Sequence, residues 1–364
     1  MKQGGDADGN DDEARCVKEE DTEGDAPGTA VGHGMMKEEG DDFTVANIDE
    51  APAKSIAIAS DMATLKRERK LILVLDLDHT LLNSTRLHQD LSALEQRNGF
   101  TPDTEDELHM ELFRLEYSDN VRMLTKLRPF VRGFLEQASS RFEMHAVIDL
   151  LDPDGVYFRG RVVSRKESTQ RDVKSLDVIP GADPAAVVIL DDTDSAWPGH
   201  QDNLILMDRY HYFACTCRKF RYNIPSMAEQ ARDEREHDGS LAVVLGVLNR
   251  IHQAFFDDDR ADVREVIAEV RRQVLPVCTV VFSYLEDFPE DTLMWTLAER
   301  LGAACQKDVD ETVTHVVAED PGTQKAQWAR EHGKFLVNPE WIKAVNFRWC
   351  RVDERDFPVT ARAS

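Results

Sequence analysis

The sequence predicts an α/β protein whose main domain is a parallel sheet, followed by helices and a smaller α/β unit. Two aliphatic runs, at residues 71–75 and 185–190, each lead directly into a pair of aspartates. A strand that is apolar on both faces belongs in a parallel sheet with helices on either side. Beyond residue 275, short strands and helices alternate, which predicts the second α/β unit.

The elements between and after the two aliphatic runs complete this picture. Residues 81–125 are polar and indicate an irregular insertion above the end of the first strand. Residues 130–139 have helical periodicity after a proline, and residues 142–148 form the next predicted strand. Two further helical patterns begin at Leu241 and Val263.

The length of 364 residues exceeds one ordinary hydrophobic core, so we expect two folded units and a tail. Residues 1–50 contain 16 acidic and 4 basic residues, a composition typical of disorder, although an acidic partner-binding arm is an alternative. The predicted division is a disordered tail (1–60), the parallel-sheet domain (65–228), a helical linker region (229–274) and the small α/β domain (275–362).

Composition argues against several classes of function. The formal net charge of −25 disfavours direct DNA binding, because such binding draws its affinity from Lys and Arg. The six cysteines form no CxxC pair and have no His partners at zinc-finger spacing. No apolar run approaches the length of a membrane span, and the N-terminus is acidic where a signal peptide is basic and then apolar. We expect an intracellular protein with no membrane contact.

Four aspartates at the predicted strand ends carry the chemistry. Asp76 and Asp78 follow one strand and Asp191 and Asp192 another, and parallel sheets place their sites at the carboxyl ends of strands. In the first pair, one carboxylate suits attack on phosphorus and the other suits transfer of the leaving-group proton. Mg²⁺ held by Asp76, the Asp78 carbonyl and Asp192 would neutralise this cluster. Lys174, which precedes the third strand, is the best candidate for a cation beside the phosphate.

Several segments carry a family resemblance. They are DLDHTLLN, LRPF, LLDPDGVYFRGRVVSR, the segment around Lys174 and VVILDDTDSAWPGHQDNLILMDRYHYF. Together they resemble the Fcp-type RNA polymerase II C-terminal-domain phosphatases of the haloacid-dehalogenase fold, especially the plant C-terminal-domain phosphatase-like members. The last part of the chain, with Gly302, THVVA, GTQK and Trp341, is similar to the BRCT domain that such enzymes carry.

The resemblance implies a magnesium-dependent protein serine/threonine phosphatase that acts on phosphoserine in the polymerase tail and is located in the nucleus. It implies Asp76 as nucleophile and metal ligand, Asp78 as general acid and base, and Lys174 as the cation that contacts phosphate. It also implies Asp192 as a metal ligand, with Asp191 in a supporting role.

Two further residues fit a role in positioning the substrate. These are Thr80, within the DLDHT segment, and Arg128, within LRPF. The alternative is that Thr80 caps the loop and Arg128 pairs with a surface acid.

One feature departs from the family pattern. In the family, the second strand ends in a Thr or Ser that binds phosphoryl oxygens, and a helix then leads to the LLDP segment. Here residues 142–148 run straight into DLLDP, although a parallel crossover ordinarily needs a dozen or more residues. We therefore expect impaired turnover, since losing one preorganised donor costs about a hundredfold or more in rate. A rival hypothesis is a catalytically weak adaptor that binds the phosphorylated tail.

The BRCT-like unit contributes a second candidate site. Ser283 and Lys325 match positions at which phosphopeptide-binding BRCT domains hold a phosphate, and a hydroxyl with an ammonium suits that anion. Alternatively Ser283 is an ordinary strand-end residue, Lys325 is a solvated helix residue, and the unit recognises an unphosphorylated partner. A transcription factor is a candidate partner of this unit. The basic residues within 66–70 are a candidate nuclear address or an ordinary solvated face.

Overall fold

The structure is a computed structural model of the chain. The described residues are 62–101, 103–107, 110–116, 121–145, 173–179, 181–222, 224–283 and 289–360. The strands are β1 (Leu71–Leu75), β2 (Leu82–Arg86), β3 (Leu112–Glu116), β4 (Arg122–Leu127), β5 (Phe142–His145), β6 (Val187–Asp191), β7 (Leu204–Leu206), β8 (Thr279–Phe282), β9 (Ala304–Gln306), β10 (His315–Val317) and β11 (Phe335–Val337). The helices are α1 (Met62–Arg67), α2 (Ala93–Arg97), α3 (Val131–Ser139), α4 (Ala214–Lys219), α5 (Ser240–Asp257), α6 (Val263–Arg272), α7 (Pro289–Arg300), α8 (Gln324–Glu331) and α9 (Glu340–Arg348).

The main sheet has the strand order β5-β1-β6-β7, and its neighbouring strands are parallel. All five residues of β1 and of β6 are buried. Alternate side chains of β1 enter different cores: Leu73 packs in the cluster that contains α3, α5 and α6, whereas Ile72 packs in the cluster that contains Leu65 and Trp197. The sheet is therefore covered on both faces, as its apolar strands predict.

The insertion between β1 and α3 is more regular than the sequence predicts. Strands β2, β4 and β3 form an antiparallel three-stranded sheet in that order. The prediction of an irregular segment is wrong here because β2 lacks an apolar alternation. Its polar residues Asn83 and Thr85 are buried, with exposed fractions of 0% and 1%.

The helices after the main sheet are integral to its core. Leu248 and Ile251 of α5 and Val266 of α6 are buried in the same cluster as β1. The left-handed residue Trp349, just after α9, enters that cluster too, and the Arg271 guanidinium lies 4.7 Å from its ring. These contacts fix the C-terminal unit against the main sheet domain.

The C-terminal unit contains a second sheet, with neighbouring strands parallel and the order β11-β10-β8-β9. Its predicted strands and helices are present, and β9 is an addition. Trp341 of α9 is fully buried in its core. Gly302 has φ +95°, and a Cβ there would lie 1.9 Å from the carbonyl oxygen of Arg272, so only glycine fits. None of the described helices has both the length and the apolar character needed to cross a bilayer.

Candidate active site

The end of β1 places Asp76 at the edge of the main sheet. The Asp76 backbone N–H donates to the carbonyl of Leu190 in β6, at 2.9 Å. The chain then turns tightly, because the N–H groups of Thr80 and Leu81 both donate to the Leu77 carbonyl. His79 adopts φ +67° within this turn. A continued strand would place Asp76 and Asp78 on the same face, whereas the turn after β1 takes Asp78 out of strand geometry.

Lys174 joins the two strand ends. Its Nζ donates to Asp76 Oδ1 at 2.5 Å and to Asp191 Oδ2 at 2.6 Å. The Lys174 backbone N–H is held by the carbonyl of Ala196 at 2.9 Å. One ammonium group thus connects the carboxylates that follow β1 and end β6.

The two aspartates at the end of β6 are held by different partners. Asp191 is buried and accepts hydrogen bonds from the Trp197 indole at 2.7 Å and the Thr193 backbone N–H at 2.8 Å. Asp192 accepts a charge-assisted bond from Arg209 Nε at 2.5 Å. Neither Trp197 nor Arg209 has a site role predicted from the sequence. Both residues lie in segments that carry the family resemblance, WPGHQ and DRYHYF, but the sequence does not show that they contact Asp191 and Asp192.

The carboxylates form a cluster that suits a hard cation. Oxygen atoms of Asp76, Asp191 and Asp192 all lie within 4.8 Å of one another. Among the described residues, Lys174 and Arg209 form ion pairs with these three carboxylates, which carry the negative charge and the oxygen donors that Mg²⁺ prefers. The donor set therefore fits a magnesium ion. The side chain of Asp78 is outside this group, which leaves its carbonyl as the ligand atom predicted for that residue.

Burial sets the protonation of the cluster. It raises the pKa of Asp76, Asp191 and Asp192 above the usual carboxyl value, although Lys174 or Arg209 opposes this. Burial opposes protonation of Lys174, but Asp76 and Asp191 outweigh it and raise the Lys174 pKa. Lys174 is therefore a permanent cation in the site.

Asp78 differs from its neighbours. Burial, helped by repulsion from Asp76, raises the pKa of Asp78 to about 7. A carboxyl group with a pKa near neutrality can hold a proton and release it within one cycle, as general acid–base work requires. For His79, burial lowers the pKa to about 3, so its ring is neutral and supplies no proton.

Arg128 and Thr80, the two residues predicted to position the substrate, are both buried and bonded to other protein groups. The Arg128 side chain is 0% exposed and pairs with Glu234 at 2.7 Å. Its Nη1 donates to the carbonyls of Thr80 and Asp208, both at 3.0 Å. The Arg128 side chain is therefore enclosed and held by protein acceptors, which favours the alternative of an ion pair over contact with the substrate. Thr80 is equally buried and donates to Asp76 Oδ2 at 3.1 Å, so it orients that carboxylate.

In the C-terminal unit, the two predicted phosphate ligands lie near each other at the end of β8. Ser283 Oγ and Thr323 Oγ1 are 3.0 Å apart, and Lys325 Nζ donates to the carbonyl of Phe282 at 3.0 Å. The sequence predicts that a phosphate-binding Thr or Ser is missing and that the crossover after residues 142–148 is shortened. This prediction lies outside the described residues, since the described part of the chain stops at residue 145 and resumes at residue 173.

Comparisons with known proteins agree with this architecture. Residues 71–219 match the NLI interacting factor-like phosphatases, and residues 270–346 match the BRCA1 C Terminus (BRCT) domain. The chain is 44% identical to RNA polymerase II C-terminal domain phosphatase-like 4 of Arabidopsis thaliana, over 82% of this chain and 72% of that protein. It is 39% identical to phosphatase-like 3 of the same plant, over 80% of this chain and 25% of that protein.

A solved structure shares the fold. The structure of Fcp1, described as an essential RNA polymerase II CTD phosphatase, aligns with a TM-score of 0.62 at 22% identity. The alignment covers 82% of this chain and 98% of that one.

Aspartates that converge at the end of a parallel sheet, bridged by a lysine, are an arrangement that suits an α/β phosphatase. The chain belongs to the NLI interacting factor-like phosphatase family and also carries a BRCT domain. The fold class, the family resemblance and the phosphatase function predicted from the sequence are confirmed, and the adaptor alternative is not favoured.

Proposed function

We propose that this phosphatase removes phosphate from phosphoserine in the C-terminal tail of RNA polymerase II, in the nucleus and with Mg²⁺ as cofactor. The two plant relatives carry the names RNA polymerase II C-terminal domain phosphatase-like 4 and 3, which supports this substrate. The observation that carries the chemistry is the Lys174 bridge from Asp76 to Asp191, with Asp192 in the same cluster.

The reaction has two halves on Asp76. In the first, an Asp76 carboxylate oxygen attacks phosphorus, the bond to the serine oxygen breaks, and Asp78 donates its proton to that oxygen. In the second, Asp78 takes a proton from water as the water oxygen attacks the phosphorus of the acyl phosphate. Inorganic phosphate leaves and both aspartates return to their initial states.

The remaining groups of the site position the nucleophile and stabilise the negative charge of the phosphate. Thr80 holds one oxygen of Asp76, which leaves the carboxylate in a fixed orientation. Lys174 offsets negative charge that builds up on the phosphoryl oxygens. Asp76, the Asp78 carbonyl and Asp192 would hold Mg²⁺, supported by Asp191. When bound, Mg²⁺ supplies Lewis-acid neutralisation of the phosphate charge.

The decisive assay uses purified protein and a phosphoserine peptide of the tail repeat, with phosphate release as the readout. We expect turnover with Mg²⁺ and none with excess EDTA, and restored turnover when Mg²⁺ is returned. Peptide binding without turnover in the presence of Mg²⁺ would instead support the adaptor alternative and contradict the proposal.

The metal assignment is tested by Asp192→Asn. Because a carboxylate ligand is replaced by a weaker neutral one, we expect the Mg²⁺ concentration for half-maximal rate to rise at least about tenfold. Asp194→Asn is the matched control, since Asp194 lies two residues away and is exposed. Equal Mg²⁺ requirements in the two variants would contradict the role of Asp192.

Lys174→Met tests the cation. Removal of the ammonium beside Asp76 and Asp191 should lower kcat/KM by about 10²–10³-fold, the usual effect of losing one preorganised electrostatic partner. Lys66→Met, which removes an exposed charge from α1, should keep full activity. A Lys174→Met protein that retains half of the wild-type kcat/KM would overturn the assignment.

For the BRCT domain, we propose that Ser283 and Lys325 hold a phosphate group of a partner chain. Their proximity at the end of β8 supports this, because a hydroxyl and an ammonium can bind one anion together. A transcription factor is the class of partner that suits a polymerase-tail phosphatase. Nuclear location is consistent with the basic residues within 66–70.

A further inference from the structure

A short basic stretch lies beside the active site of this acidic chain. Residues 209–228 contain Arg209, Arg218, Lys219 and Arg221 and no aspartate or glutamate, whereas the whole chain has a net charge of −25. A phosphorylated peptide approaching the protein is repelled by the overall charge. The positively charged stretch next to the carboxylate cluster is therefore a place where an anionic substrate can bind.

Arg209 is fixed at the inner edge of this stretch. Its Nε donates to Asp192 at 2.5 Å, its Nη2 donates to Thr193 Oγ1 at 3.1 Å, and its Cζ lies 4.0 Å from the Phe220 ring centroid. The side chain is 22% exposed, and within the described residues its Nη1 makes no hydrogen bond. The guanidinium is thus held in one place while one of its amino groups remains available to a ligand.

Lys219 is exposed and lies near the same aromatic ring, that of Phe220. Its Nζ lies 5.6 Å from the Phe220 centroid, and it has no ion pair or hydrogen bond in the described part of the chain. Phe220 in turn contacts His79, at 5.2 Å between ring centroids, so the ring adjoins the loop that carries Asp78. Lys219 therefore lies beside a ring that contacts the active-site loop.

We propose that Arg209, Lys219 and Phe220, here called the cationic rim, bind a second phosphate group on the substrate chain, near the phosphoserine being hydrolysed. This proposal rests on the proposed function. The contacts run outward from Asp192 to Arg209 to Phe220 to Lys219, so the rim leads away from the reaction centre. An extended peptide advances about 3.3 Å per residue, so a phosphate about three residues from the reacting serine can reach such a rim. Each phosphate group carries a charge of about −1.5 to −2, and guanidinium and ammonium groups form charge-assisted hydrogen bonds with such anions.

The neighbouring Arg218 provides a matched control. It lies in the same helix, α4, and is exposed like Lys219, but its Nη2 donates to the carbonyl of Asp90 at 2.7 Å. Its charge is therefore directed to the insertion and not to the cationic rim. Arg218→Gln and Lys219→Gln change the net charge of the protein by the same amount. A difference between the two variants therefore reports the location of the lost charge.

The test compares two peptides of the tail repeat, one with a single phosphoserine and one with a second phosphoserine three residues away. We expect wild-type protein to have a higher kcat/KM for the doubly phosphorylated peptide, mainly through a lower KM. Lys219→Gln should lower this preference ratio by about threefold to tenfold. Arg209→Gln should lower it as well, and Arg218→Gln should leave it unchanged. An unchanged ratio in Lys219→Gln, or an equal drop in Arg218→Gln, would overturn the proposal.

A binding measurement separates this proposal from the proposed function. In protein carrying Asp76→Asn, fluorescence anisotropy of labelled peptides reports affinity without turnover. Tighter binding of the doubly phosphorylated peptide, lost on adding Lys219→Gln, would support the cationic rim even if no form of the protein hydrolyses either peptide. Hydrolysis of both peptides by the wild type, with equal affinities in the Asp76→Asn protein, would reject the rim and keep the phosphatase.

Discussion

Asp76→Asn is expected to lower kcat/KM for a phosphoserine peptide by at least about 10⁴-fold, because a neutral amide cannot form the acyl phosphate. The amide oxygen can still accept a hydrogen bond from Lys174, so the variant should fold like the wild type. Phosphate release under Mg²⁺-saturated conditions checks the loss, and the urea midpoint of unfolding checks the fold.

Asp78→Asn is the informative comparison for Asp76. If Asp78 protonates the leaving serine, its loss should matter less for an aryl phosphate, whose leaving group needs little protonation. Asp76→Asn should abolish hydrolysis of both substrates. Appreciable hydrolysis of aryl phosphate by Asp76→Asn, above about 1% of wild type, would contradict nucleophilic attack by this residue.

Arg128→Met is expected to lower the free energy of unfolding by about 3–5 kcal/mol, since it leaves a buried acid without its partner. Arg128 is 0% exposed and bonds Glu234 through Nε and Nη2. Its pairing keeps the pKa of Glu234 low despite burial. Glu234 also accepts from the backbone and hydroxyl of Ser240, the first residue of α5. The ion pair thus ties the end of β4 to that helix.

Arg132→Met serves as the control for Arg128. Arg132 lies four residues away and pairs with Glu111 at 3.1 Å, but its side chain is 46% exposed. A surface pair of this kind contributes at most about 1 kcal/mol. Urea unfolding of both variants measures the difference. If Arg128→Met is no less stable than Arg132→Met, the buried ion pair does not have the structural role given to it here.

Much of the site was predictable because strand ends in a parallel sheet converge. The aliphatic runs before Asp76 and Asp191 identify β1 and β6, and their pairing brings these carboxylates together. Lys174 was predictable from the chemistry that a phosphate needs. The same apolar strands account for the correct prediction of the fold class.

Other parts depended on contacts that no local pattern carries. The partner of Arg128 is Glu234, 106 residues further along the chain, so its burial could not be seen in the LRPF segment. Strand β2 has no apolar alternation because buried Asn83 is satisfied by tertiary bonds, to His79 and to the backbone of Phe213. The pairing of Arg209 with Asp192 likewise depends on the return of the chain after β7.

Trapping of the phosphorylated enzyme shows which residue attacks phosphorus. The protein is mixed with a ³²P-labelled phosphoserine peptide and Mg²⁺, quenched in acid, and reduced with borohydride, which converts an aspartyl phosphate to homoserine. Mass spectrometry then identifies the modified position. We expect homoserine at position 76 and at no other acidic residue. Label on a different side chain, or hydrolysis with no trapped phosphoenzyme under single-turnover conditions, would contradict it.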